Sequence, residues 1–147
     1  ASILLMTPTN TDQRLAEIDY GDAEGLTFGQ LRAQYPEIVS AWQAGEDPRF
    51  PQGENSGDVV ARLWDFLESR ESWGDGCIIV THNVVMRCLV GRLWGIPVEE
   101  WFRLDIPHTE PLPIAAAGGE FWLDPDPELR EYLSDSLVGY RAAGRDE

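Results

Sequence analysis

Apolar residues recur at helical spacing along much of this chain, and the intervals between those stretches carry turn-forming residues. Val59, Val60, Leu63, Trp64 and Leu67 share one helix face, with Asp58, Arg62, Asp65 and Glu68 away from its centre and Ser56 as the expected cap. Val85, Leu89 and Leu93 form one ridge of a helix over residues 84 to 94, flanked by Met86, Val90 and Trp94. Gly95-Ile96-Pro97 ends it, and Pro97 to Phe102 reads as a further short helix. Leu129, Tyr132, Leu133, Ser136, Leu137 and Tyr140 recur likewise in a last helix that begins at Asp126-Pro127. Upstream, Thr27 caps a short helix through Tyr35, and Pro36 suits the first turn of another through Ala44. Ala1 to Met6 read as the last turns of a helix stopped by Pro8.

Cys77-Ile78-Ile79-Val80 breaks this pattern. It is a continuous apolar run after the turn Gly74-Asp75-Gly76, without the alternation of a half-solvated strand. Such a run suits a strand covered on both faces, as in a parallel sheet. Leu112 to Ala117 and Glu120 to Leu123, joined by Gly118-Gly119, suit a two-residue hairpin. There is no internal repeat and no long linker. The pattern predicts one α/β domain over residues 1–147.

Charge narrows the partners. The chain holds 26 acidic residues against 11 basic ones, all arginine, for a formal net charge of -15. Long-range repulsion therefore opposes both nucleic acid and anionic membranes. No apolar run has the length of a membrane span, and the expected setting is the cytoplasm. Cys77 and Cys88 are too few for a disulfide framework and are read as reduced core residues. With two histidines and no close Cys/His cluster, no metal is expected. The tryptophans at 42, 64, 94, 101 and 122 are read as core or rim aromatics.

Candidate chemistry centres on Thr81-His82-Asn83, where the apolar run meets the next helix. Ligands of open α/β sheets bind beyond the carboxyl ends of strands, where the following helix offers free N–H groups to phosphate. An imidazolium there can donate to a phosphoryl oxygen and offset its charge. The competing role is a histidine that only caps the turn, and position alone does not choose between them. Arg62 and Arg87 both suit a surface or ion-paired role on helices, and Arg87, one turn after His82, is the better placed of the two to neighbour phosphate. Glu54 either caps the following helix or touches substrate, and His108, after a proline, suits capping or packing.

Three segments in register change the weighing. Leu15-Ala16-Glu17 with Gly21 and Glu24-Gly25, then Pro51-Gln52-Gly53-Glu54-Asn55 before Asp58 to Arg62, then Ile79-Val80-Thr81-His82-Asn83, resemble the histidine phosphatase superfamily, the phosphoglycerate mutase-like group. The likeness runs along roughly residues 1 to 110, and Ile106 to Leu112 looks like a segment that returns to the sheet in some members. It implies a three-layer α/β sandwich around a mostly parallel sheet. It also implies phosphoryl transfer through phosphohistidine, with no cofactor and a small phosphorylated substrate. By this resemblance His82 is the phosphate-binding second histidine and Glu17 the acid that protonates the leaving oxygen. Asn83, Arg87 and Glu54 are the neighbouring candidates for phosphate or substrate. A carboxyl group near phosphate and shielded from water is expected to stay protonated longer, which suits a general acid.

Departures from the family pattern carry expectations of their own. The family opens on a strand followed by Arg-His-Gly, which bears the nucleophile, and no such motif occurs here. Ala1 to Leu5 resemble the continuation of the family's next helix, so the chain reads as the later two-thirds of the fold. These 147 residues are then expected to be inactive on their own. Cys77 to Val80 would keep an uncovered edge, open to pairing with another chain as a homo-oligomer. Ala23 stands where the family often has Trp, and Asn83 where it often has Gly. The short stretch from Glu17 to Glu54 favours a phosphatase over a mutase, and a non-catalytic phosphate-sensing or partner-binding domain is the alternative.

Overall fold

The computed structural model describes residues 10–69, 77–107 and 110–143, with side chains up to 135 in the last stretch. The expected helix at Ala1 to Met6, the turn at Gly74 to Gly76, His108, and the apolar positions from Ser136 onward lie outside what is described.

Among the described residues the first α-helices are two short ones, α1 (Phe28–Gln34) and α2 (Pro36–Gln43). Thr27 closes a capping box with Gln30, and Pro36 opens α2 where its missing N–H costs nothing. The long amphipathic helix α3 (Ser56–Glu68) turns Val59, Leu63, Phe66 and Leu67 inward. Its cap is Asn55, one residue before the expected Ser56, because Asn55 and Asp58 close the reciprocal capping box. Helix α4 (Asn83–Leu93) buries Val85, Cys88, Leu89 and Val90. A 3₁₀ helix (Val98–Arg103) follows, then the hairpin β1 (Ile114–Ala117) and β2 (Glu120–Leu123), then α5 (Pro127–Ala143).

Helices α3 and α4 pack on each other, and the hairpin and the 98–103 turn pack on α4. One core gathers Ile18, Leu31, Ile38, Phe50, Val59, Leu63 and Val85. A second gathers Val90, Leu104, Ile106, Leu123, Leu129 and Leu133, and Leu93, Ile96, Leu112 and Ile114 pack against both. Each fully buried aliphatic side chain of this kind contributes about 1.5–3 kcal/mol relative to exposure. Gly91 matters to the join: a Cβ there would overlap the indole of Trp101, whose Nε1 donates to the Ile96 carbonyl at 2.8 Å.

The sheet departs from expectation. Among the described residues the one sheet is the antiparallel hairpin, with Ile114 opposite Leu123 and Ala117 opposite Glu120. Cys77 to Val80 joins no ladder. With no strand beside it among the described residues, it leaves Ile78 73% and Val80 65% exposed. Cys77 is correspondingly exposed and is not the core residue expected, while Cys88 is buried. Desolvation, with Asp47 adding to it, pushes the Cys88 thiol up to about 12, so it is a packing residue and not a nucleophile.

Candidate active site at the start of α4

The segment that bears Glu17 is held from two sides. Asp12 caps a 3₁₀ turn (Gln13–Leu15), and the Arg14 guanidinium spans Asp12 and Asp65, both at 2.7 Å, which ties this segment to α3. Arg62, on α3, donates from Nη1 to the Arg14 carbonyl at 2.7 Å and from Nη2 to the Glu17 carbonyl at 3.2 Å. The same guanidinium forks onto Glu54, Nε to Oε1 at 2.8 Å and Nη2 to Oε2 at 3.1 Å. Glu54 Oε2 in turn accepts from the Asp19 N–H at 3.0 Å. Glu54 thus links α3 to the Asp19 loop and does not cap the helix, whose cap is Asn55. Gly21 and Gly53 let the two loops meet backbone to backbone: Asp22 N–H donates to the Pro51 carbonyl at 2.9 Å and Glu54 N–H to that of Asp19 at 2.8 Å. A side chain on either glycine would collide with the opposite main chain.

From the other direction, Thr81 Oγ1 donates to the Leu15 carbonyl at 2.8 Å. This bond sets the start of α4 against the Glu17 segment. His82 is the N-cap residue of α4, with extended φ −116° and ψ 168°, and its carbonyl accepts from Met86 N–H at 3.0 Å. Its imidazole makes no capping bond and is exposed. The Glu17 carboxylate lies across the same helix start, with Oε1 accepting from Ile18 N–H at 3.0 Å and Oε2 from Val84 N–H at 3.4 Å. The long second bond leaves the carboxylate loosely held at the positive end of the helix dipole. Glu17, His82 and Asn83 therefore come together at one helix N-terminus. A carboxylate, an imidazole and the N–H groups of a helix start are brought to one place, and helix starts are where anions bind.

Arg87 lies one turn further along α4 and lines a cavity of about 200 Å³ with Ile18, Tyr20, Phe50 and Val84. Its Nε is shut off from solvent with no hydrogen-bond partner among the described residues. Neither Glu17 nor His82 lines this cavity, which opens beside their site. The half-buried Tyr20 is the residue that sequence reasoning missed. Burial, with Glu17 reinforcing it, raises its phenol above the ordinary 10.0, while Arg87 pulls the other way. Its only sequence signal is its place just before Gly21. Among the described residues no three of His, Cys, Asp or Glu gather as a metal site would require.

An α/β protein with a carboxylate and a histidine at one helix start is the class this geometry defines. Residues 1–124 match the model of the histidine phosphatase superfamily, branch 1, and the chain belongs to that superfamily. It is 33% identical over 97 residues to a fructose-2,6-bisphosphatase of Saccharomyces cerevisiae, which covers 65% of this chain and 21% of the yeast protein. It is 30% identical over 103 residues to a 2,3-bisphosphoglycerate-dependent phosphoglycerate mutase of Brucella anthropi, covering 67% of this chain and 50% of that one. Among solved structures, one titled Mycobacterial hydrolase 1 superposes with a TM-score of 0.54 at 28% identity, covering 78% of this chain and 62% of the other. The chain thus spans half or less of the length of these curated relatives.

Proposed function

We propose that this chain carries the acid and phosphate-binding part of a phosphohistidine enzyme whose net reaction is hydrolysis of a small phosphomonoester. The observation that carries this reading is the Glu17 carboxylate beside the Val84 N–H at the helix start capped by His82. A histidine nucleophile attacks phosphorus while His82 and the helix N–H groups hold the phosphoryl oxygens. Glu17 gives its proton to the departing alkoxide oxygen. Water then attacks the phosphohistidine, its proton passes to the Glu17 carboxylate, and phosphate leaves. Asn83 and Arg87 are the further contacts to substrate in this reading, and no cofactor takes part. The short connection from Glu17 to Glu54 favours hydrolysis over phosphoryl exchange between substrates, by analogy with the family.

Neither His82 nor His108 stands in an Arg-His-Gly setting, so the 147 residues alone bind phosphate without turning over esters. That observation also favours a second reading, a non-catalytic phosphate-binding domain of the same fold. Calorimetry with inorganic phosphate tests the shared site. Binding that falls at least tenfold in His82→Ala is expected, and an unchanged affinity removes the site from this helix start. Turnover of a phosphomonoester by the same chain, lost in His82→Ala, would overturn the claim of inactivity.

The whole of residues 1–147 is taken as one domain of this family, and its three-layer sheet is completed only when a strand pairs with Cys77 to Val80. A second copy of the chain supplying that strand is the proposed oligomer, and the exposure of Ile78 and Val80 supports it.

A further inference from the structure

The cavity beside the candidate site has a composition that a phosphate-handling site alone does not explain. Its walls are aromatic at Tyr20, Trp42, Phe50 and Phe102. Three of these rings form one cluster: Phe50 meets Tyr20 edge-on at 5.0 Å and Trp42 edge-on at 5.6 Å. Three carboxylates, Glu46, Asp47 and Glu99, line the same cavity, against one arginine, Arg87.

The charges are separated in space. Arg87 lines the cavity with Tyr20, Ile18 and Val84, and the N–H groups of the last two hold the Glu17 carboxylate. The carboxylates gather at the turn after α2, where Glu99 lies about 3.6 Å from the place a Gly45 side chain would take, beside Glu46 and Asp47. Asp47 accepts from the Ser56 and Gly57 N–H groups at 3.0 and 2.8 Å, so the start of α3 offsets part of its charge. No hydrogen bond or ion pair to the Glu46 and Glu99 carboxylates occurs among the described residues. The three acids do not converge as ligands to one metal ion.

Aromatic rings together with carboxylates, in a cavity of this size, are the chemistry that holds an organic ammonium group. The ring quadrupoles attract a diffuse cation, and the acids compensate its charge without stripping it of all solvation. A second phosphate or a carboxylate on the leaving group would instead meet three like charges, which specificity uses as rejection.

We infer that the cavity receives the cationic head of the leaving group, so that the substrate is a phosphate ester of an amino alcohol. This rests on the phosphoryl site proposed above and names the substrate class for it. The phosphate lies at the start of α4 by Glu17 and His82, and Arg87 borders the ester side. The ammonium group sits among Trp42, Phe50, Glu46 and Glu99.

The test needs no catalysis. Phosphocholine, glycerol 3-phosphate, 3-phosphoglycerate, choline and inorganic phosphate are titrated into the 147-residue chain by calorimetry. Phosphocholine is expected to bind at least tenfold more tightly than glycerol 3-phosphate, whose head is neutral, and 3-phosphoglycerate more weakly than either. Choline alone is expected to bind weakly, and equally in His82→Ala. In the double variant Glu46→Gln, Glu99→Gln the preference for phosphocholine over glycerol 3-phosphate should collapse to within about twofold. Equal binding of the two esters, with inorganic phosphate still dependent on His82, overturns the substrate class and leaves the phosphoryl site standing. Choline binding without any phosphate binding supports the ammonium cavity but removes the phosphoryl site, and with it the substrate class. Absence of binding by every ligand overturns both.

Discussion

At the residue scale, the candidate site depends on one arginine outside the chemistry. Arg62 makes four hydrogen bonds with a side chain only 17% exposed, two to Glu54 and two to carbonyls of the segment that presents Glu17. Arg62→Ala leaves the Glu54 carboxylate and two carbonyls short of donors, at an expected cost of about 2–3 kcal/mol in urea unfolding. Arg62→Lys should recover less than half of that, because an ammonium cannot fork onto Glu54 while reaching two carbonyls. A loss below about 0.5 kcal/mol in Arg62→Ala would show that the loop is held by other contacts. That Glu17 and His82 meet at one helix start was within reach of the sequence, because their neighbours stand in a recognisable order. Arg62 reads from the sequence as a surface or ion-paired residue and does pair with Glu54, but its bonds to carbonyls 45 and 48 residues away leave no local pattern. Neither does the burial of Tyr20 between two loops.

At the scale of elements, the helices followed from periodicity because each buries one stripe and carries its own caps. The apolar run at Cys77 to Val80 did not become a strand, since a ladder needs a neighbour and periodicity describes only the run itself. The displacement of the α3 cap from Ser56 to Asn55 has a similar cause: several capping residues stand side by side, and the partner at Asp58 decides between them. Asp58 therefore has a measurable task. Its carboxylate accepts from the Asn55 N–H at 2.9 Å and pairs with Arg49, and these bonds, the backbone one first, hold its pKa below the ordinary 3.8. A folded pKa below the unfolded one gives stability that is present above the unfolded value and lost as pH falls through the folded value. Asp58→Ala is expected to cost about 1 kcal/mol at pH 7, the usual worth of such a cap. The gap between variant and parent should close as pH drops below about 4, the ordinary range of an aspartate. Unfolding curves at pH 7 and pH 3 check this, and a gap that stays constant would assign the cost to packing instead of charge.

At the scale of the whole molecule, two surface properties oppose each other. The formal net charge of -15 repels a second copy, while Ile78 and Val80 stand 73% and 65% exposed next to a backbone that joins no ladder. An unpaired backbone segment with exposed apolar side chains is a template for pairing, and burying two such side chains contributes about 1.5–3 kcal/mol each. Whether copies associate then depends on how far the repulsion reaches, which is about 10 Å at 0.1 M salt and 3 Å at 1 M. Self-association should therefore strengthen with salt, the reverse of what an interface built on ion pairs would do. Sedimentation velocity across this range is expected to show monomer at low salt and a growing dimer fraction at high salt. Val80→Asp should abolish the dimer, because it places a charge within the apolar seam and adds to the repulsion. That substitution sits at an exposed position, so the fold should survive it, and circular dichroism gives the control. A monomer under every condition, at concentrations up to about 100 μM, the level at which a contact worth 5–6 kcal/mol becomes populated, would rule out the second copy as the partner of this strand.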